Sequence, residues 1–348
     1  MSAATDAEIL SFSVDLIEKH GGLIERESDR VLALLPDRLA GDLGLPEEVQ
    51  LGSDEVPLLY GSPLLDRLIG LATRDVPLVY GQIRMSYLKK AGFEQLLGQD
   101  IAFVDGQVRV GGRAETRTTY LALACRYVAL SDERKEGLVQ VGVHEGSGAL
   151  VPGLVDSWEE MYPEFFPAGK VPPHFPAQME KAIEAAMREA RNLAGDTLAD
   201  FFNSMKRRLQ RDVKNTREYY EALRAEMEDS LSHPNLAETQ RRERLDKIAD
   251  LPLEMARKIE DLEQKHHVRA TVSACAAARL LVDVVQLMIE VKYRKLHRSV
   301  PVIWNPLTRR LDPLVCERCR RTTHRIHPVA QDSTVQLLCP FCAREKTR

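Results

Sequence analysis

The sequence predicts an α+β chain: a mixed α/β N-terminal domain, a long antiparallel helical hairpin of coiled-coil type, a β-rich segment and a C-terminal four-cysteine zinc ribbon. Three observations predict it. Residues 1–155 alternate short helical and strand-like apolar runs, punctuated by Gly and Pro. Apolar residues then recur at spacings of three and four from Met179 to Leu231, and again from Leu245 to Leu262, as in helices that bury one stripe. Finally, Cys316 and Cys319 (CERC) and Cys339 and Cys342 (CPFC) form two tight pairs with nineteen residues between them. Two residues between cysteines let one turn aim both sulfurs at a single ion, and two such turns supply four thiolates at tetrahedral angles.

The first domain is read as 1–155. Asp6–His20 carries a helical apolar pattern (Ile9, Leu10, Phe12, Leu16, Ile17) stopped by Gly21-Gly22. Leu23–Glu27 and Arg30–Leu35 read as strands around a turn at Ser28-Asp29. Pro36 opens a short helix through Ala40. Ser62-Pro63 is an N-cap followed by proline at the first helical position, ahead of Leu64, Leu65, Leu68 and Ile69. Val76–Ile83 reads as a strand and Ser86–Leu97 as a helix ended near Gly98. Ile101–Val104 and Gln107–Val110 flank Asp105-Gly106, a tight-hairpin signal. Arg117–Leu130 and Leu138–His144 form a longer hairpin, and the glycine-rich Gly146–Gly153 closes the domain.

Five prolines between Pro163 and Pro176 mark a connector over 156–175. The helical hairpin is read as 176–267, with a break or bend at Gly195-Asp196, a tip near 232–235 and a capping box from Asn235 to Glu238. Pro252 is expected to kink the second helix. With the tip near His233, Glu221, Glu226, Glu228 and Asp229 lie opposite Arg241, Arg242 and Arg244. Lys206, Arg207, Arg208 and Arg211 lie opposite Glu254, Glu260, Asp261 and Glu263. Each exposed pair contributes only about 0.2–0.5 kcal/mol, so such charges select a pairing rather than drive it. The first arm is the longer, and its excess, Phe175–Ala199, must bury its apolar face on the globular part. Residues 268–308 are rich in β-branched side chains and read as two or three strands ending with Val300–Trp304.

Residues 309–348 complete the chain as the ribbon. Arg321–Pro328 and Thr334–Leu338 read as its strands, with Gln331-Asp332-Ser333 as the turn. A module this small buries too little apolar surface to fold alone, so metal binding supplies its folding energy. Four thiolates leave no open position, which makes the expected Zn²⁺ structural. His324 and His327 lie between the pairs and are read as surface or strand-face residues rather than ligands. Met1–Leu10 is polar, without the apolar core of an export signal. A cytoplasmic location with reduced thiols is therefore expected. Cys125 and Cys275 stand alone in apolar stretches and read as small buried hydrophobes.

The chain has 348 residues, 29% of them charged, and a net charge of -4. That charge is unevenly placed. Residues 1–150 hold 23 acidic and 15 basic side chains, whereas 292–348 hold 13 basic and 4 acidic. An acidic front and a basic tail point to different partners. Arg309, Arg310, Arg318, Arg320, Arg321 and Arg325 surround the first cysteine pair, and Arg344, Lys346 and Arg348 follow the second. Clustered arginines on a rigid scaffold suit phosphate contacts, which makes DNA or RNA the expected ligand and a partner protein the alternative. Trp304 and Phe341 have rings that could stack on bases, but core packing is the expectation for both. The most apolar stretch, Thr271–Val291, contains Arg279, Asp283, Gln286 and Glu290, so a buried pair of strands or a core helix is expected rather than a membrane span.

No Gly-Lys-Ser/Thr phosphate loop and no dinucleotide fingerprint occur. Gly142–Gly148 (GVHEGSG) lies at a hairpin exit rather than a helix start. His144 and Glu145 are acid–base types, but as strand neighbours they point to opposite faces. Asp100 or Asp105 with Glu115 and Arg117 would make a nuclease-like set without the usual lysine.

Tyr60–Leu68 (YGSPLLDRL) and Tyr120–Val151 (YLALACRYVALSDERKEGLVQVGVHEGSGALV) resemble the accessory region that follows the motor in RapA-like Swi/Snf ATPases. In that group the region mixes strands, a helical hairpin and partner-binding surface. The similarity covers about half the chain and extends neither to the ribbon nor to a motor, so it carries over no catalytic residue. It implies at most a separately encoded companion of such a helicase-like ATPase, acting on nucleic acid or nucleoprotein. The resulting expectation is a non-enzymatic adaptor that meets its ATPase in trans and touches nucleic acid through the basic ribbon. Two other readings remain open: a nuclease or hydrolase with a site in 1–155, and an assembly protein that forms a homo-oligomer through the helical hairpin.

Overall fold

The computed structural model describes residues 6–26, 31–53, 55–74, 76–167, 171–232 and 237–346. Helices and strands are mixed along the chain, which divides into two compact units: Met1–Val79 with Ala274–Ala277, and Tyr80–Ser273 with Ala278–Arg348. The stretch 1–155, read above as one domain, thus contributes to both.

In the first unit, α1 (Ala7–Lys19) starts where the Asp6 carboxylate accepts the Glu8 N–H at 2.9 Å. It ends before Gly21, whose φ of 86° suits a residue without Cβ. β1 (Leu23–Arg26) and β2 (Val31–Leu34) pair antiparallel with Leu23 opposite Leu34. The turn expected at Ser28-Asp29 falls outside the described residues. α2 (Asp37–Leu43) follows Pro36, and β3 (Glu48–Leu51) completes a three-stranded sheet on β2. α3 (Pro63–Ala72) is capped as expected: Ser62 Oγ accepts the Leu65 N–H at 3.3 Å. Ile17, Leu43, Leu58 and Leu68 are fully enclosed in the core.

β4 (Leu78–Ile83) begins in the first unit and ends in the second, and α4 (Phe93–Asp100) follows. α4 is later than the helix expected over Ser86–Leu97 and runs through Gly98. β5 (Ala102–Phe103) does not form the hairpin expected at Asp105-Gly106. Asp105 does adopt the left-handed turn geometry, with φ of 62°, but β5 pairs in parallel with Arg325 and Ile326, more than two hundred residues away. β6 (Gln107–Leu130) and β7 (Arg134–His144) form a long hairpin with Tyr120 opposite His144. β8 (Ala149–Leu150), α5 (Leu154–Glu159) and β9 (Glu164–Phe165) follow, with β9 on β4.

α6 (Glu180–Ser230) runs without a break through Gly195-Asp196, and α7 (Glu238–His266) continues past Pro252. The early part of α6 rests on β6 and β7 through Ala182, Ala186, Ala190, Ala194 and Leu198, all buried. Small side chains at that spacing let the helix axis approach the sheet closely. The rest of α6 packs along α7, offset from the register that a tip near His233 implies. In that register Arg244 faces Leu223 and His266 faces Phe201. Instead, Arg244 Nη1 donates to Ser230 O at 3.2 Å, and His266 Nε2 lies 3.0 Å from Asp212 Oδ2. Arg244 thereby serves a carbonyl in the last turn of α6, where positive charge is favoured. The tip itself falls outside the described residues, and the capping box expected from Asn235 to Glu238 does not form: α7 begins at Glu238 with Ala237 as its N-cap, whose side chain makes no cap hydrogen bond.

β10 (Arg269–Tyr293) and β11 (Leu296–Asn305) are two strands over 268–308, as expected, and the second contains Val300–Trp304. The apolar stretch Thr271–Val291 is therefore part of one strand, neither a pair of strands nor a helix. Its composition follows from burial on both faces. Leu280, Val282 and Val284 enter one core cluster, and Val285, Leu287, Ile289 and Val291 enter another. β12 (Arg310–Leu311) pairs with β11, and the sheet order is β12-β11-β10-β6-β7-β8. The C-terminal strands are β13 (Leu314–Val315), β14 (Thr322–Thr323), β15 (Arg325–Gln331) and β16 (Thr334–Leu338), followed by α8 (Pro340–Lys346). Among the described residues, no helix is long and apolar enough to cross a membrane.

Candidate metal centre

Two local structures bring the cysteines together. The first pair sits in the turn between β13 and β14, where Leu314 pairs with Thr323 and Val315 with Thr322. Cys316 N donates to Arg321 O and Arg320 N to Cys316 O, both at 2.9 Å, which closes the turn. Arg320 takes φ of 59°, the left-handed position usually left to glycine. The second pair straddles the start of α8. The β15–β16 hairpin, which turns at Asp332-Ser333 as expected, delivers it.

All four sulfurs lie within 4.8 Å of one another, and Cys319 Sγ is 3.7 Å from Cys339 Sγ. A tetrahedral thiolate site with metal–sulfur bonds of about 2.3 Å spaces its sulfurs about 3.8 Å apart. Cys316, Cys339 and Cys342 are buried, and Leu338, Val329 and Ala343 pack around them. Burial opposes the Cys316 thiolate, but backbone N–H groups of Cys319, Cys339 and Arg318 bring its pKa down to about 7. Burial and the neighbouring thiols push Cys342 up to about 12, because four negative sulfurs at this spacing repel unless a cation sits among them. The donor set and spacing fit a metal ion.

The second residue of CERC holds this site to the sheet. Glu317 makes a bidentate pair with Arg298 of β11, at 2.6 and 3.0 Å, and its Oε2 also accepts the Leu337 N–H at 2.8 Å. Arg298 Nη1 donates further to Val335 O at 2.7 Å. Sequence reading missed this anchor. Its only signal was an acidic residue inside an otherwise basic turn.

The two histidines between the pairs are not in the sulfur cluster. His324 Nδ1 lies 3.1 Å from Asp100 O, and His327 stands opposite Leu338 in the β15–β16 register. Arg309, Arg310, Arg318, Arg320, Arg321 and Arg325 are all exposed. Arg318 pairs with Glu345 at 3.0 Å, and the Arg320 carbonyl lies 3.4 Å from Arg188 Nη2. The aromatic expectation is half right. Trp304 is 7% exposed and meets Phe93 edge-on, whereas Phe341 is 68% exposed.

The acid–base candidates do not converge. His144 and Glu145 face different partners, as strand alternation requires. His144 Nε2 meets Thr118 Oγ1 at 2.7 Å and Nδ1 meets Ser147 Oγ at 2.8 Å. Glu145 is enclosed and forms a bidentate pair with Arg279, both bonds 2.7 Å. Asp100 accepts the Leu311 N–H at 2.8 Å, and Asp105 sits in a turn. Arg117 pairs with Asp283 at 3.3 Å in an open cleft of about 730 Å³ that Glu115 also lines; neither Asp100 nor Asp105 lines it. Among the described residues, the four cysteines form the one His/Cys/Asp/Glu group of three or more spaced to hold a metal. Cys125 is buried as expected, and Cys275 is half-buried.

No known protein-family model matches the chain, and none of the curated proteins matches it significantly.

Proposed function

We propose that this protein is a non-enzymatic adaptor of a helicase-like ATPase system that contacts nucleic acid through a basic zinc ribbon. The observation that carries the reading is the four-sulfur cluster of Cys316, Cys319, Cys339 and Cys342 set among exposed arginines. Zinc suits four thiolates at tetrahedral spacing, and a closed thiolate shell makes it a fold-holding ion. Rigid turns then present Arg318, Arg320, Arg321 and Arg325 at fixed positions for phosphate oxygens. The α6–α7 pair acts as a coiled-coil arm. The N-terminal part, by its resemblance to the RapA-like accessory region, meets the ATPase in trans.

Metal analysis of the purified chain is expected to give one zinc per protein. Nucleic-acid affinity should fall with salt. The triple variant Arg318→Glu, Arg320→Glu, Arg321→Glu should flatten the dependence of log K on log salt by roughly two to three units, the signature of lost phosphate contacts. A chain without stoichiometric metal, or unchanged binding by the triple variant, defeats the reading.

A further inference from the structure

The second cysteine turn carries a feature that charge does not explain. Phe341 is the third residue of Cys-Pro-Phe-Cys, between two cluster sulfurs, and is 68% exposed. A large apolar ring held outward on a rigid turn gains nothing from folding. Its surroundings on α8 are defined by helical spacing. Arg344 is three residues on and Glu345 four, both exposed, so both share the face of Phe341. Glu345 pairs with Arg318 of the first cysteine turn at 3.0 Å. The ring, Arg344 and Arg318 therefore lie on one side of the two-turn unit.

We infer that this face binds single-stranded nucleic acid, with a base stacked on Phe341 and the adjoining phosphates on Arg318 and Arg344. The inference rests on the proposed nucleic-acid role and adds the ligand class. An aromatic side chain stacks on any base whose face is free, whatever its identity. In a duplex those faces are covered by neighbouring base pairs and are reached only at an unstacking cost of about a few kcal/mol per step, so a projecting ring favours an unpaired strand. The excess of 13 basic over 4 acidic side chains in 292–348 matches a polyanion rather than an apolar protein pocket. Glu345 neutralises part of Arg318 in the free protein; a phosphate would compete for that guanidinium.

The test uses the full chain with Phe341→Ala and Phe341→Trp, measuring anisotropy of labelled single-stranded DNA, single-stranded RNA and duplex DNA of equal length. Zinc content and circular dichroism confirm that each variant is folded. Phe341→Ala is expected to weaken single-strand binding roughly tenfold and duplex binding by less than about twofold, and Phe341→Trp to restore it. The salt slope should stay unchanged, since no charge is removed. The DNA and RNA arms show which strand is preferred. Equal losses on single strand and duplex, or no loss on either, overturn the inference. If the arginine triple variant weakens binding while Phe341→Ala does not, the ribbon reading stands and this one falls. If neither variant changes binding, both fall.

Discussion

Asp312 and His144 are buried groups whose ionisation burial opposes, and they pull the pH dependence of stability in opposite directions. Burial raises Asp312 to about 7, against hydrogen bonds from Tyr120 at 2.6 Å and Asn305 at 3.2 Å. Burial lowers His144 to about 4, against the favourable charge of Glu145. An acid with a raised folded pKa binds its proton more tightly when folded. Its stabilising share is complete below pH 3.8 and is lost as pH rises through about 7. A histidine held neutral does the reverse: its share is complete above pH 6.5 and is lost as pH falls through about 4. The two trends offset each other in the wild-type chain. Asp312→Asn keeps a neutral, hydrogen-bonding side chain and removes one trend. It should stabilise the protein at about pH 8, by at most on the order of 4 kcal/mol, and by far less at about pH 4. Urea unfolding at the two pH values checks this; an equal effect at both would show that folding does not raise the Asp312 pKa. Neither residue stood out by titration in the sequence, because burial is set by strands that meet only in the folded sheet.

At the scale of elements, Arg279 shows how a strand is fastened. It was visible in the sequence only as a charge inside an apolar stretch. In the fold its side chain is 3% exposed and pairs with Glu145, whose side chain is fully enclosed. The guanidinium also donates to Pro176 O at 2.7 Å and lies 5.6 and 5.1 Å from the ring centres of Tyr80 and Phe175. One residue of β10 thus ties together the exit of β7, the connector before α6 and β4. Arg279→Met should destabilise the chain by about 3–5 kcal/mol, because Glu145 would be left buried without a partner. Adding Glu145→Gln should recover part of that loss in the same denaturant titration. A cost below about 1 kcal/mol for the single change would mean that water reaches the pair. Elsewhere local signals fixed conformation but not partner. Asp105-Gly106 turns as its residues demand, yet β5 joins β15 because that strand offers a free edge beside it. Likewise α6 runs on through Gly195-Asp196 and α7 through Pro252, because the neighbouring helical turns outweigh one or two unfavourable residues.

For the whole molecule, a metal held by the four cysteines would govern one region and leave another untouched. Ile326, Val335 and Leu337 belong to the same core cluster as β10 and β11, and Glu317 is bound to Arg298 of β11. The first unit has its own core around Ile17, Leu43 and Leu68. Treatment with a zinc chelator should abolish hydrogen-exchange protection in 314–346 and reduce it along β11, while protection around Ile17 and Leu68 persists. Protection of 314–346 that survives metal removal would show that the sulfur cluster does not hold that region. The sequence by itself determined the two cysteine turns, the Ser62 cap, the turn at Asp332-Ser333 and the helical period of α6 and α7, because each depends on residues within a few positions of one another, and composition alone gave the uneven charge. Only the tertiary structure decided that 80–150 and 278–305 share one sheet, that the helices pair off-centre, that Glu317 is an anchor, and that Phe341 rather than Trp304 faces solvent. Those outcomes depend on which distant strand edges and side chains compete for the same space, and no local spacing records that competition.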